Sequence, residues 1–292
     1  MDAIQHDVMG MMPGSEEQSI GAILVETGRL TAADAQVIAR EQKAKGVQFG
    51  VAAMELGLVS QSDVDFALAR QYDYPYVPPR SGVVAPAVVA AYQPFGVVAE
   101  HLRLLRSQVA LRWTNARVGA KAMAVTGVGR GEGRSFVAAN LAVVFAQMGA
   151  RTLLIDADLR NPTQHALFHV DNRFGLSSVL AGRVGSEAIV RIAALRNLYV
   201  LPAGPMPPNP QELLARPTFG MRLRSLEELF EVVVIDTTAA EKAADSQIVA
   251  SVSGASLLVV RKDSTPMKEL RALQSALEAA GSRILGAVVN EQ

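Results

Sequence analysis

The amino-acid sequence predicts an α/β protein in which a doubly wound, mostly parallel sheet forms a P-loop NTPase domain, preceded by a small helical two-motif domain. Short apolar segments alternate with helical patterns over the last two-thirds of the chain, as in a parallel sheet covered by helices on both faces. A glycine-rich segment directly follows the first apolar segment. Near the start of the chain, a helical pattern occurs twice with a constant offset.

Length and composition exclude several classes of protein. With 292 residues, of which 50% are hydrophobic and 19% charged, the chain can bury a large core and is longer than one typical domain. Lys plus Arg and Asp plus Glu both number 28, so no basic excess indicates a nucleic-acid partner. The absence of cysteine excludes disulfides and thiol catalysis. No secretory pattern and no long apolar run occurs, so we expect a cytoplasmic protein that reaches a membrane only through a partner.

The first predicted domain, residues 18–78, contains two copies of one helical motif and follows a predicted disordered N-terminus, residues 1–17. Each copy is expected to form a short helix, a glycine turn and a second helix. The second helix is expected to begin at a hydroxyl residue, which can accept a hydrogen bond from the first-turn amides. Such a repeat either only packs against a neighbour or has a regulatory role. Corresponding positions in the two copies are Gly21 and Gly50, Gly28 and Gly57, and Thr31 and Ser60.

A linker is predicted over residues 79–93, because this segment is rich in Pro, Val and Ala and has hardly any charge. Just before it, Tyr72, Tyr74 and Tyr76 are interpreted as the aromatic-rich end of a strand, and their use as phosphate acceptors is the alternative. The P-loop domain is predicted to span residues 94–292.

Six apolar runs in that domain are predicted to be strands of one parallel sheet. They are short, rich in β-branched residues and separated by helical patterns. The predicted strands are Ala122–Thr126, Thr152–Asp156, Leu198–Leu201, Val232–Asp236, Ser256–Arg261 and Ile284–Val289.

The glycine-rich segment after the first strand predicts a phosphate-binding loop. A loop that leads into a helix N-terminus presents backbone amides and the positive end of the helix dipole to an anion. The P-loop pattern places Arg134 where a lysine is expected, which keeps the charge but exchanges an ammonium for a wider planar group. A glycine-rich turn without a ligand is the alternative. The predicted cofactor-binding residues are Gly129, Arg130, Gly131, Glu132, Gly133, Arg134, Ser135 and Phe136.

Acidic residues follow two of the predicted strands. Asp156 and Asp158 follow one strand and Asp236 another, and the carboxyl ends of parallel strands meet at one edge of a sheet. Phosphoryl transfer requires Mg²⁺, a hydroxyl and carboxylates to hold it, and a base near the acceptor; Ser135 supplies the hydroxyl. A single Asp at such a place is usually a cap or turn residue, so the prediction depends on all three.

These motifs resemble those of the bacterial tyrosine kinases of capsule and exopolysaccharide export, in particular the EpsG-like chain length determinant protein tyrosine kinases. The resemblance covers residues 94–290. It rests on Gly131–Ser135 as Walker A, Ile155–Pro162 as Walker A′ and Val234–Thr237 as Walker B, with a further long match over Leu201–Leu214. It implies an ATP-dependent protein-tyrosine (auto)kinase-like subunit that regulates polysaccharide chain length and export with a transmembrane chain-length regulator, peripherally at the inner membrane.

The resemblance also implies roles for individual residues. Arg134, Asp156 and Asp158 are the expected catalytic residues, and Ser135, Asp158 and Asp236 the expected Mg²⁺ ligands. The family carries an E-x-x-R-x-x-R helix that serves subunit contact, which implies a homo-oligomer through Glu100, Arg103 and Arg106. An ordinary solvated helix face with charges three residues apart is the alternative at that helix.

Three departures from the family pattern leave alternatives open. Arg134 replaces the lysine, Thr238 and Ala239 stand where two prolines are common, and no tyrosine-rich segment follows the last strand. The second hypothesis is therefore a catalytically weak, nucleotide-responsive scaffold of the same export machinery. A third is an ATPase of the ParA/MinD type, although Gly129 stands at the position of its signature lysine.

The N-terminal repeat resembles the tandem-motif N-terminal domain (MshEN-like) of type II secretion and type IV pilus ATPases, some of which bind cyclic di-GMP. The ligand-binding versions begin each motif with arginine, whereas Ser19 and Gln48 stand at those positions here. The absence of these two cations weakens the prediction of cyclic di-GMP as a ligand and favours a docking or regulatory role.

Overall fold

The computed structural model describes residues 19–78, 81–114, 121–241 and 243–291. It divides into two compact units, Met1–Tyr74 and Pro75–Gln292. The predicted disordered N-terminus, residues 1–17, lies outside the described residues. Within the described ranges, no helix is both long enough and apolar enough to cross a membrane.

The first unit contains four helices within its described part. Their hydroxyl caps occur where the sequence predicts them: Thr31 accepts from the Asp34 amide, and Ser60 and Asp63 form a reciprocal capping box. The core includes the fully buried residues Ile23 and Leu24. The helices are α1 (Ile20–Glu26), α2 (Ala32–Lys45), α3 (Phe49–Glu55) and α4 (Gln61–Gln71).

The repeated glycines have two structural reasons. A Cβ atom at Gly21 would lie 2.9 Å from the Phe49 ring, and one at Gly50 would lie 2.9 Å from Val64, so both positions allow helices to approach closely. Gly28 and Gly57 have φ angles of 70° and 68°, a conformation that favours glycine. The sequence repeat therefore corresponds to a repeat of packing and of turn geometry.

The interpretation of the three clustered tyrosines as a strand end is wrong. Helix α4 ends with Tyr72 as its C-cap, and residues 74–78 form neither helix nor strand. Asp73, between them, has a φ angle of 45°, which turns the chain away from the helix axis.

The described part of the predicted linker, residues 81–93, packs into the second unit. Val84 and Val88 are buried in the same hydrophobic cluster as the sheet. Asn140, fully buried, accepts from the Ala90 amide (2.9 Å) and donates to the Ala87 carbonyl (3.0 Å). The small side chains that gave this segment its linker-like composition let it lie close to a helix, so it is not a free linker.

The second unit is an α/β layer structure, as predicted. In its described part, a seven-stranded sheet has the order β3-β4-β2-β5-β1-β6-β7, and every pairing is parallel except β3 with β4. The strands are β1 (Ala122–Thr126), β2 (Thr152–Asp156), β3 (Val190–Arg191), β4 (Leu198–Leu201), β5 (Val232–Asp236), β6 (Ala255–Arg261) and β7 (Arg283–Asn290). The six predicted strands are confirmed within one residue at each end. Strand β3 was missed because two residues carry no periodicity.

Helices of this unit lie along the sheet, which has a hydrophobic cluster on each of its two faces. They are α5 (Val89–Tyr92), α6 (Val97–Thr114), α7 (Arg134–Gln147), α8 (Gln164–Leu167), α9 (Leu176–Leu180), α10 (Pro210–Leu214), α11 (Pro217–Leu229), α12 (Asp245–Ser253) and α13 (Met267–Ala279).

Replacing Asn140 with alanine should lower the free energy of unfolding by about 2–4 kcal/mol, because it leaves the Ala90 amide and the Ala87 carbonyl without their buried partner. Urea unfolding measures the loss, and limited proteolysis should show faster cleavage within residues 81–93. The matched control is Asn197→Ala, at a half-buried asparagine outside this network. Equal stability of the two variants would contradict the packed role of the segment.

Candidate functional site

The loop after β1 opens directly on the N-terminus of α7. Gly131 and Gly133 have φ angles of 79° and 95°, and a Cβ atom at Gly133 would lie 2.3 Å from Asn290 Nδ2. Gly133 is the N-cap of α7, and no side chain caps that helix. The first amides of α7 therefore have no side-chain partner at their N-cap, which is the arrangement that binds phosphate in P-loops.

A pocket of about 320 Å³ lies against this loop. It brings together the N-terminal turn of α7, the loop that follows β2 and the loop that follows β5. Seven predicted site residues line it, whereas Gly129, Glu132, Asp156 and Asp236 do not. Its lining is Arg130, Gly131, Gly133, Arg134, Ser135, Phe136, Asp158, Asn161, Thr163, Thr238 and Ala239.

The Arg134 side chain is held by the protein itself. Its Nε donates to the Thr237 carbonyl (3.2 Å), its Nη1 donates to the Gly129 carbonyl, and the Glu132 carboxylate lies 3.7 Å from Nη1. Only 8% of the side chain is exposed. In this conformation the guanidinium stabilises the loop and the end of β5. A phosphate would have to compete with these three partners to bind the guanidinium.

Glu132 is buried beside Arg134. One carboxylate oxygen, Oε1, accepts from the Thr265 hydroxyl at 2.6 Å, and the Glu132 carbonyl accepts from Asn290 Nδ2 at 3.0 Å. These contacts link the P-loop to the ends of β6 and β7. Glu132, predicted as a cofactor-binding residue, therefore supports the loop from behind the pocket.

Asp156 and Asp236 lie side by side, because β2 and β5 pair in parallel with these two residues in register. Asp156 Oδ2 accepts from the amides of Thr163 and Gln164, both at 2.9 Å. Gln164 Nε2 donates to Asp236 Oδ2 at 2.8 Å and to the Ser135 carbonyl at 3.1 Å. The two buried carboxylates thus hold the loop after β2 and connect it to α7.

Burial sets the protonation of this pair. It raises the pKa of Asp156 well above its usual range, and the nearby charge of Asp236 acts in the same direction. Burial also raises the pKa of Asp236 to about 6, although the hydrogen bond from Gln164 opposes this shift. Asp236 Oδ1 has no partner of good hydrogen-bond geometry among the described residues, although the Ser135 side chain lies close enough to lower the pKa of Asp236.

Asp158 is the carboxylate that reaches the pocket wall. Its Oδ1 accepts from the Asn161 amide (2.9 Å), the Arg160 amide (3.2 Å) and the Thr238 hydroxyl (2.9 Å). These three donors fix the carboxylate against the loop. Of the three predicted acidic residues, Asp158 is therefore the one placed to act on a bound ligand, together with Ser135.

Several residues of the site were not found from the sequence. Gln164 bridges two elements, Thr238 orients Asp158, and Arg160 forms an ion pair of 2.8 Å with the buried Asp245. Arg160 belongs to the Ile155–Pro162 motif, which was the available signal for it. Gln164 and Asp245 carry no sequence pattern of their own, because their partners lie far away in the chain.

The residues present fit a magnesium ion that is shared with phosphate oxygens. No cluster of three or more His, Asp or Glu side chains with metal-binding geometry occurs in the described ranges. Magnesium in nucleotide sites is commonly held by one or two protein ligands, with phosphate oxygens and waters completing the shell. Ser135 and Asp158 line the pocket, and Asp236, whose Oδ1 lacks a well-formed hydrogen bond among the described residues, is buried behind it.

The predicted subunit-contact residues lie on α6. Arg103 forms an ion pair with Glu100 and donates to the Pro94 carbonyl, and Arg106 donates to the Val144 carbonyl at 3.1 Å. Both arginines therefore have partners within the chain, which agrees with the alternative prediction of an ordinary charged helix face. Glu100 is 57% exposed.

A second cavity, of about 950 Å³, lies within the first unit and is named the repeat groove here. Ser19 and Gln48, which stand where ligand-binding versions carry arginine, both line it. Among the described residues, its lining has no charged side chain: Ser19, Ile20, Gly21, Ala22, Ala35, Gln36, Ala39, Gln42, Gln48, Phe49, Gly50, Val51, Met54, Gln61, Val64, Leu68, Gln71 and Tyr72.

Comparison with known proteins identifies relatives of the P-loop unit. Residues 120–285 match the family model described as cellulose biosynthesis protein BcsQ. The tyrosine-protein kinase YwqD of Bacillus subtilis is 36% identical over 203 residues, which cover 70% of this chain and 85% of that protein.

Solved structures agree with this assignment. The kinase domain of the Escherichia coli tyrosine kinase ETK has a TM-score of 0.65 and 33% identity, covering 70% of this chain and 79% of that one. The chimerical protein CapA2B2 has a TM-score of 0.67 and 30% identity, covering 77% and 97%. A MinD from Pyrococcus horikoshii, complexed with Mg-ADP, has a TM-score of 0.52 and 24% identity over 58% of this chain and 70% of that one; it shows the shared fold alone.

Replacing Asp236 with asparagine should stabilise the protein at neutral pH. The folded pKa of about 6 lies above the ordinary value of 3.8, so the unfolded chain loses this proton first, and stability falls as the pH rises between these values. The gain from Asp236→Asn should therefore be on the order of 1–3 kcal/mol at about pH 7.5 and much smaller at about pH 4.5. Urea unfolding at both pH values measures it.

The control is Asp171→Asn, at an exposed carboxylate whose pKa is lowered mainly by the hydrogen bond from the Arg173 amide. Asp171 therefore titrates below the pH range over which Asp236 changes the stability. If Asp236→Asn raised the free energy of unfolding equally at both pH values, the raised pKa assigned to Asp236 would be contradicted.

Proposed function

The chain belongs to the bacterial tyrosine-protein kinase family, and we propose that its pocket binds ATP with Mg²⁺ and transfers the γ-phosphate to tyrosine hydroxyls of proteins. The single observation that carries the proposal is the pocket itself. It combines the N-terminus of α7, whose N-cap supplies no side chain, with the Ser135 hydroxyl and the Asp158 carboxylate.

Each of these groups has a task in phosphoryl transfer. The amides of the loop and of the first turn of α7 bind phosphate oxygens. Ser135, Asp158 and Asp236 would hold Mg²⁺, which when bound neutralises charge on the phosphates. Asp158, fixed by three donors, accepts the proton of the attacking hydroxyl, and Asp156 orients the loop that carries Asp158.

A second candidate function is nucleotide-responsive regulation with weak catalysis. The observation that favours it is Arg134, whose guanidinium is held by Gly129 and Thr237 instead of lying free in the pocket. A guanidinium that keeps these bonds would leave charge on the transferring phosphate uncompensated.

The cellular role that we propose is control of polysaccharide chain length and export together with a transmembrane regulator, at the cytoplasmic face of the inner membrane. The name of the matching family model refers to cellulose biosynthesis, which supports a polysaccharide context. We propose that the repeat groove serves docking or regulation. The described part of its lining offers no cation for the phosphates of cyclic di-GMP, so that ligand is disfavoured.

We also propose a homo-oligomer that uses α6. Val97 and Leu104 lie seven residues apart on one face of this helix and are 72% and 57% exposed, with Glu100 between them. Apolar side chains at this spacing form a stripe that a second copy can cover.

Transfer of labelled phosphate from Mg-ATP to a protein tyrosine tests the first function. Asp158→Asn should lower the rate about 100-fold or more, because it removes the proton acceptor. Arg134→Lys distinguishes the two functions: a parent that transfers phosphate supports the kinase, whereas a silent parent with recovery in Arg134→Lys supports the regulator. Arg222→Lys, at an exposed arginine on α11, is the matched control. Silence of both parent and Arg134→Lys, with nucleotide bound, would contradict the kinase function.

Replacing Leu104 with glutamate should lower the molar mass in solution, because it places a charge within the proposed contact. Light scattering after size-exclusion chromatography measures the mass. Leu229→Glu, at a comparably exposed leucine (55%) on α11, should leave it unchanged. A monomeric parent, or an equal change in both variants, would contradict an interface at α6.

A further inference from the structure

We infer that Tyr72 is a phosphate-acceptor site of this protein. The inference rests on the proposed kinase function. It concerns a tyrosine in the first unit, upstream of the P-loop. The P-loop could belong to the same copy of the chain or to another copy. In both cases the acceptor side chain must be able to leave its surroundings and enter the pocket.

The five tyrosines of the chain differ in their freedom to do so. The Tyr92 hydroxyl is bonded to the Val84 carbonyl, and its ring packs against the core. Tyr199 lies on β4 with its ring edge-to-face against Phe230, 5.2 Å between centroids. To use either one as an acceptor, the protein would have to open its core.

Tyr72 has none of these constraints. Its side chain is 69% exposed, whereas Tyr74 and Tyr76 are half-buried. Its backbone is the C-cap of α4, and the amide donates to the Leu68 carbonyl, so the residue has a defined position at a helix end. The Tyr74 amide donates to the Ala69 carbonyl at 2.7 Å and Val77 is fully buried, so the residues after Tyr72 are held in place. The exposed side chain of Tyr72 itself can therefore enter a kinase pocket without opening the core.

The chemical step balances with ATP as the phosphate donor. The Tyr72 phenol oxygen forms a bond to the γ-phosphorus while the bond from that phosphorus to the β–γ bridging oxygen breaks. ADP leaves with the electron pair of the broken bond, and the phenolic proton passes to the Asp158 carboxylate. The products are ADP and the phosphorylated tyrosine.

Phosphorylation at this position would change the groove in a defined way. Tyr72 lines the repeat groove, and none of the other lining residues that the structure describes is charged. A phosphate adds about 1.5 to 2 negative charges at neutral pH, here at the C-terminal end of α4, where the helix dipole disfavours an anion. The modification therefore places negative charge at the edge of a groove whose described lining is neutral.

Mass spectrometry of the full chain after incubation with Mg-ATP tests the inference. Trypsin cleavage after Arg70 and Arg80 releases one peptide that contains Tyr72, Tyr74 and Tyr76, and fragmentation assigns the phosphate among them. The expected result is phosphate on Tyr72, and loss of most of the incorporated phosphate in Tyr72→Phe. The same substitutions at Tyr74 and Tyr76 are matched controls and should retain it.

A random copolymer of glutamate and tyrosine, assayed in parallel, separates the two proposals. Transfer to the copolymer without phosphate on Tyr72 would overturn the acceptor site and leave the kinase function standing. No transfer to either would overturn the kinase function, and the acceptor site with it. Unchanged incorporation in Tyr72→Phe would also overturn the acceptor site, and the variant keeps the aromatic ring so that folding is preserved.

Discussion

The pairing of β2 with β5 is the constraint on which the site depends. Parallel register places Asp156 beside Asp236 in the centre of the sheet, where neither carboxylate reaches water. The cost of burying two like charges is offset by donors from the loop after β2, and above all by Gln164. That loop must therefore fold back onto the strand ends, and this fold carries Asp158 to the pocket wall.

Arg134 illustrates how one substitution changes the balance between holding the loop and holding a ligand. A lysine is a compact point charge, whereas the guanidinium is wide and carries five donors. In this chain those donors find the Gly129 and Thr237 carbonyls, and Glu132 lies close enough to add attraction. The same contacts that stabilise the loop compete with a phosphate, so structure and catalysis are coupled through this one side chain.

The first unit combines two helical motifs into a neutral groove. The duplicated glycines let the helices approach closely, and the groove lies between equivalent surfaces of the two motifs. Its exposed tyrosine connects the unit to the chemistry proposed for the second unit. A phosphate on this tyrosine would meet no compensating charge among the described lining residues.

The sequence by itself determined six of the seven strands, the P-loop, the family and the hydroxyl caps of α2 and α4. Each of these depends on neighbours in the chain: a periodicity, a glycine spacing or a cap three residues from its partner. The sequence did not determine that residues 81–93 pack into the second unit, since a run of small apolar residues can occur both in a linker and in a segment packed against a helix. Nor did it separate the two buried carboxylates from Asp158, or find Gln164 and Thr238. Those assignments depend on which strands are neighbours and on which side chains lose contact with water, and only the tertiary structure decides both.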